Sequence, residues 1–190
     1  MLQPALKEWA VTVEALAAGN TILLLRKGGI QEETGSFALQ HQQFWLYPTY
    51  EHQKPELLKP DYAAQVQPVP SGWHPETVEI QAWAEVQGQF TFHDQATLAA
   101  VTPFHVGNDR FAAERLRWKA RSPLQGLILR VYRLPRPESL PYKSEYGGCR
   151  SWLTLPLTAE MARSHPALSD EAFEQQAAQL QQALQSVAPA

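Results

Sequence analysis

The residues of this sequence equipped for chemistry are cations and imidazoles at the ends of apolar stretches: Arg26, Lys27, His52, His105, Arg115 and Arg130. An arginine clamps an oxyanion through paired N–H donors, and a histidine exchanges a proton near neutral pH. Gathered by a fold into one hollow, they would form a cleft suited to a phosphate or phosphodiester. His52 and His105 would be its catalytic imidazoles, and Arg26, Lys27, Arg115 and Arg130 its anion clamps. Gly28 and Gly29 follow Arg26-Lys27 directly. Two adjacent glycines reach positive φ and present backbone N–H groups, which beside two cations can make an anion nest. The same turn reads as a hairpin connection with solvated cations, and His52 reads as a capping or packing histidine.

Other chemistries lack their spacing. The GxxxxGK[ST] pattern of a P-loop is absent, and so is the GxSxG of a serine nucleophile. The histidines at 41, 52, 74, 93, 105 and 165 never fall at HxH or HxxxH spacing, so no local metal site is expected. Glu79 and Glu85 share the polar face of a strand but stand too far apart for a catalytic pair, so this face reads as solvated. The single cysteine, Cys149, rules out an intrachain disulfide and a cysteine-based zinc site, and reads as a buried thiol. No particular cofactor is implied.

Charge is unevenly spread. Residues 1–108 carry five Lys/Arg and eleven Asp/Glu, residues 109–150 ten and four, and residues 151–190 one and four. The middle of the chain is thus a basic island, either a nucleic-acid or phosphate face or a patch neutralised by its acidic flanks. Within it Arg115, Arg117, Lys119 and Arg121 alternate with Leu116, Trp118 and Ala120. That interleaving suits phosphates and a stacked base, or an amphipathic edge with snorkelling cations.

The elements that must position these residues follow from periodicity. Leu2, Leu6, Trp9, Val13 and Leu16 repeat as a helical stripe capped by Gly19, with a strand through Trp9, Val11 and Val13 as competitor. Ile22–Leu25 is a buried strand, and Phe37–Leu39 and Phe44–Tyr47 are two more. Pro48-Thr49 should stop the last and cap a helix with Glu51 and His52 in its first turn. Prolines 60, 68, 70 and 75 argue for an extended loop. Alternation from Val78 to Val86 is the clearest strand signal. Asp94 and Asp109 should cap helices, Leu127–Tyr132 should be a strand ended by the loop prolines 135, 137 and 141, and Ser151–Leu155 the last strand. Arg130 inside that strand needs a carboxylate or a polar cleft. Ser169 should cap a helix whose seam is Phe173, Ala177, Leu180, Leu184 and Val187, packed on its parent domain or on a second subunit.

The segments LLLRKGGI, FWLYPTYEHQ and LRVYRL, with Lys7-Glu8-Trp9 and Trp152, resemble the domain of unknown function 1802 family, found in cyanobacteria and other bacteria. The tail after Leu157 is expected to lie outside that resemblance. It implies a single-domain cytosolic protein and a role for the motif-bearing loops, but no reaction.

The expectation is one α+β domain: a mixed, mostly antiparallel sheet with flanking helices over 1–157, and a C-terminal helical extension over 158–190 carrying an amphipathic helix. No apolar run approaches a bilayer span, and MLQPALKEWAV lacks the features of a signal peptide, so the expected compartment is the cytoplasm without a membrane partner. The leading functional expectation is a phosphate- or nucleic-acid-directed protein, with an enzyme of that class among its forms. The alternatives are a non-catalytic protein-interaction module, forming a homo-oligomer through the C-terminal helix, and a small-ligand sensor using the Gly-Gly turn.

Overall fold

In the computed structural model of the chain, residues 2–27, 38–117, 124–148 and 150–187 are described. β1 (Leu2–Trp9) runs straight into α1 (Ala10–Ala17), followed by β2 (Leu23–Arg26) and β3 (Gln43–Thr49). A short helix, α2 (Pro60–Ala63), precedes the long β4 (Thr77–Phe92). Then come α3 (Gln95–Ala100), α4 (Asp109–Arg117), β5 (Leu124–Pro141), β6 (Trp152–Pro156), β7 (His165–Pro166) and α5 (Asp170–Gln185). The seven strands among the described residues form one sheet in the order β2-β5-β4-β3-β1-β6, with β7 on β5. Only β1 and β3 run parallel; the other pairs are antiparallel. The architecture is a single α+β domain.

The first helical expectation is corrected in its N-terminal half. Leu2–Trp9 is a strand because its backbone is claimed from both sides, by β3 and by β6, with Ala5 and Leu6 fully buried. Pro4 is tolerated because the pairing with β3 begins only at Ala5. The helix starts at Ala10. Of its eight residues only Glu14 is exposed, so α1 is an apolar helix buried against the sheet. Gly19 ends it at φ +72, as its position suggested, with Asn20 N–H donating to Ala15 O at 2.9 Å.

Further expectations give way, several of them to sheet geometry. β3 continues through Pro48 to Thr49, because β1 offers a parallel partner as far as Trp9. The expected helix does not start there; Glu51 and His52 form a turn in which His52 takes φ 59. β5 likewise runs through Pro135 and Pro137 to Pro141. The register steps from Ala82↔Arg133 to Ile80↔Glu138, so the residues between, prolines included, sit in a bulge where no ladder bond is needed. Residues 38–40 are irregular, and Phe37 lies outside the described residues. Asn108, not Asp109, caps α4, its Oδ1 accepting from the N–H groups of Arg110 (3.0 Å) and Phe111 (3.1 Å). Asp94 and Ser169 cap α3 and α5 as expected.

The long β4–β5 ribbon, bent at its two register shifts, curls the sheet. Arg26 on β2, first in the spatial order, therefore reaches Glu8 on β1, fifth in that order, at 2.5 Å. Outside the curl, α5 lies against α3 and β2. Leu180 is fully buried, and Phe173, Ala177 and Leu184 pack onto a cluster that includes Ile22, Leu25 and Leu98. The seam thus faces its own domain. Gly19 sits beneath this outer layer, and a Cβ there would stand 2.8 Å from Leu168 Cδ2 and 3.0 Å from Ala167 O. Gly19→Ala combines that clash with a left-handed backbone, so it should lower unfolding free energy by about 1–3 kcal/mol in urea titration.

Candidate functional site: a cationic cavity

A cavity of about 780 Å³ opens where the ends of β1, β2, β3 and α4 meet the loop between β5 and β6. Six cations line it: Lys7, Arg26, Lys27, Lys54, Arg115 and Arg150. Three carboxylates, Glu8, Glu51 and Glu114, face them. The excess of positive charge arises from topology, since these residues come from five separate stretches of chain.

Each cation has its own restraint. Arg26 donates through Nη1 to Glu8 and through Nη2 to Ser151 Oγ at 2.7 Å, in a pair whose side chains are only 14% and 8% exposed. Lys7 reaches the loop after β5, its Nζ donating to the carbonyls of Tyr146 (2.9 Å) and Gly148 (2.5 Å). Lys27, 1% exposed, donates to Leu116 O at 2.6 Å in the last turn of α4. There a cation satisfies a terminal carbonyl and suits the helix dipole. It also fixes the turn that presents Arg115. The Arg115 guanidinium lies 5.0 Å from the Phe111 ring and 5.7 Å from that of Trp9.

Among the described residues, no carboxylate lies within ion-pair distance of Lys27 or Arg115. Burial pulls the Lys27 ammonium below its ordinary pKa, and Arg115 beside it adds to the effect. Burial also lowers the Arg115 pKa; Glu8 opposes the shift and Arg26 adds to it, while the guanidinium stays charged. These are two cations held close, with no carboxylate in direct contact with either among the described residues.

The rim carries the imidazoles. His52 sits in the exposed turn after β3, its Nε2 4.0 Å from Glu51 Oε1. Glu51 also accepts from the Gly72 N–H at 2.5 Å, fastening the 71–74 loop to that turn. His74 in this loop stacks on Tyr142, with ring centroids 3.4 Å apart and planes 11° apart.

Of the sequence-predicted site residues, the fold brings together Arg26, Lys27, His52 and Arg115. It does not bring His105 or Arg130. His105 is 3% exposed among apolar neighbours, its Nδ1 accepting from the Gly107 N–H at 3.0 Å and its ring 5.9 Å from Phe111. Arg130, on β5, is paired with Asp170 at 2.6 Å and donates to Ser169 O at 3.2 Å, with its guanidinium 4.8 Å from the Phe173 ring. It meets the predicted need for a carboxylate by fastening α5 to the sheet. Gly28 and Gly29 lie outside the described residues, as do Trp118, Lys119, Arg121 and Cys149. Lys7, Lys54, His74, Tyr142 and Arg150 also line the cavity, though none was expected there from the sequence. One signal was present: Gly147-Gly148 followed by Arg150 is a second glycine-pair turn beside a cation. No group of three His, Cys, Asp or Glu among the described residues is placed to hold a metal. No helix among them is long and apolar enough to cross a membrane.

Curled sheet and cavity together define a class, an α+β domain with a cation-lined hollow where its strands end. The chain belongs to the family described as Domain of unknown function (DUF1802), whose model matches residues 5–179. That match runs through most of α5, correcting the expectation that the tail after Leu157 lies outside the family. No curated protein matches the chain. Among solved structures it is similar to a mutant of the ASCH protein from Zymomonas mobilis, at 9% identity over 92% of this chain and 94% of that one, with a TM-score of 0.48.

His105 leads to a pH prediction. Burial, then the nearby Lys59 charge, pushes its pKa down to about 3. The unfolded chain takes up a proton below about pH 6.5, while the folded chain does not until about 3. Stability should therefore fall as pH drops through that window, by up to about 1.4 kcal/mol per pH unit from this group. His105→Asn, whose Oδ1 can take the Gly107 N–H, should flatten this part of a stability–pH profile measured by urea denaturation.

Proposed function

We propose that the cavity binds a phosphate-bearing ligand and that this is a phosphate- or nucleic-acid-directed protein. The observation that carries the reading is the juxtaposition of buried Lys27 and half-buried Arg115, adjacent and with no carboxylate within ion-pair distance among the described residues. Two like charges in a poorly hydrated site repel each other, and each has lost part of its hydration. A dianion placed between them relieves both costs at once, and arginine supplies the planar fork that matches a phosphoryl group. Arg26 stands beside them, already oriented by Glu8 and Ser151. His52 at the rim is the imidazole suited to exchange a proton with a phosphoryl oxygen. The reading sets the protein in the cytoplasm, where a single cysteine stays reduced. The assembly alternative has less support, because the α5 seam is spent on its own domain.

Inorganic phosphate and pyrophosphate are the probes. Both should raise the melting temperature at low salt, and titration calorimetry should show affinity falling as sodium chloride rises. Arg115→Met keeps the apolar stem against Trp9 and Phe111 but removes the charge. It should weaken pyrophosphate binding by roughly ten- to hundredfold, the equivalent of losing one or two charge-assisted hydrogen bonds. A wild-type protein indifferent to both anions at low salt would end the proposal.

A further inference from the structure

The cavity holds more than the phosphate reading uses. Its 780 Å³ lies in the range that encloses an organic ligand of drug size, far beyond a lone phosphate. The wall formed by the 71–74 loop and the segment after β5 is aromatic. There His74, exposed to solvent, lies flat on Tyr142. The pair is held in place from several sides. Tyr142 N–H donates to Glu76 O at 2.8 Å, its ring meets Tyr146 edge-on at 6.4 Å, and a Cβ on Gly147 would stand 2.8 Å from its hydroxyl. The Glu51–Gly72 bond ties down the loop that carries His74. Next to it Trp73, 41% exposed, meets Tyr50 edge-on at 5.8 Å. Tyr142 packs on the core through Tyr146, while His74 stays outside it, so an ordered, water-facing ring stack borders a cation-lined hollow. Aromatic faces offered this way take planar rings, and every nucleobase has a π-face to offer.

Resting on the phosphate reading, we propose that the cavity takes a nucleoside phosphate unit, its phosphate on Arg26, Lys27 and Arg115 and its base laid on the outer face of the His74–Tyr142 stack. The unit must have an unpaired base, because a base inside a duplex has no exposed face to give. A free nucleotide and one residue of a single strand present the same chemistry.

The test compares inorganic phosphate, ribose 5-phosphate, adenosine 5′-monophosphate and a fluorescein-labelled ten-residue oligoadenylate, using calorimetry for the small ligands and anisotropy for the strand. The monophosphate should bind roughly five- to hundredfold tighter than ribose 5-phosphate, the range expected for stacking one base. His74→Ala should erase that advantage and leave ribose 5-phosphate binding unchanged, while His74→Phe should restore it. Saturation by the monophosphate with no gain from the oligomer supports a free nucleotide. A large gain with a steep salt slope supports a single strand. Equal binding of monophosphate and ribose 5-phosphate, or an advantage that survives His74→Ala, overturns the inference and leaves the phosphate reading standing. No binding of any phosphate compound overturns both.

Discussion

The contact between Arg26 and Glu8 is the constraint on which the site depends. The two residues belong to strands four places apart in the pairing order, and only a strongly curled sheet can bring them to 2.5 Å. Their side chains are mostly withdrawn from water, so removing one partner from such a pair costs about 3–5 kcal/mol. The bond therefore gives the curl one preferred geometry, while Ser151 accepts from the other Nη of Arg26 and brings the start of β6 to the same point. Lys7, the residue before Glu8, does the same for the loop after β5 through two carbonyls. Alternation along β1 sends these neighbouring side chains to different sides, so one strand end organises two walls of the cavity.

Against that neutralised pair stands the other half of the site. Lys27 and Arg115 are held by a helix carbonyl and by aromatic faces, arrangements that fix a cation without cancelling its charge. Arg130 shows the contrasting case in the same chain. It is buried, but Asp170 compensates it, and its role is to dock α5. What separates the two arginines is their partners: Arg130 has a carboxylate, whereas Arg115 has aromatic faces and no carboxylate within ion-pair distance among the described residues.

Much of the fold was legible along the chain. Alternation marked the central part of β4, apolar runs marked β2 and β3, and the caps at Asp94 and Ser169 and the turn at Gly19 were read from local chemistry. The failures share one cause. Leu2–Trp9 has a helical stripe, yet two neighbouring strands supply its backbone with partners. Pro48, Pro135 and Pro137 look like terminators, yet a parallel partner carries the first and a bulge absorbs the others. In each case a long-range ladder overrode a local preference worth at most about a few kcal/mol.

For the site, the amino-acid sequence by itself determined the inventory: a basic middle region, a few histidines, glycine pairs beside cations, and no spacing that could bind a metal locally or activate a serine. Those are properties of residue types and short intervals, which survive in any conformation. Only the tertiary structure decided that Arg26, Lys27, His52 and Arg115 share a cavity with Lys7 and Arg150, while His105 and Arg130 are withdrawn into packing and an ion pair. That sorting depends on how far β4 and β5 bend and which strand ends the bend brings together. Two register shifts in one long ribbon set both, and no local pattern encodes them.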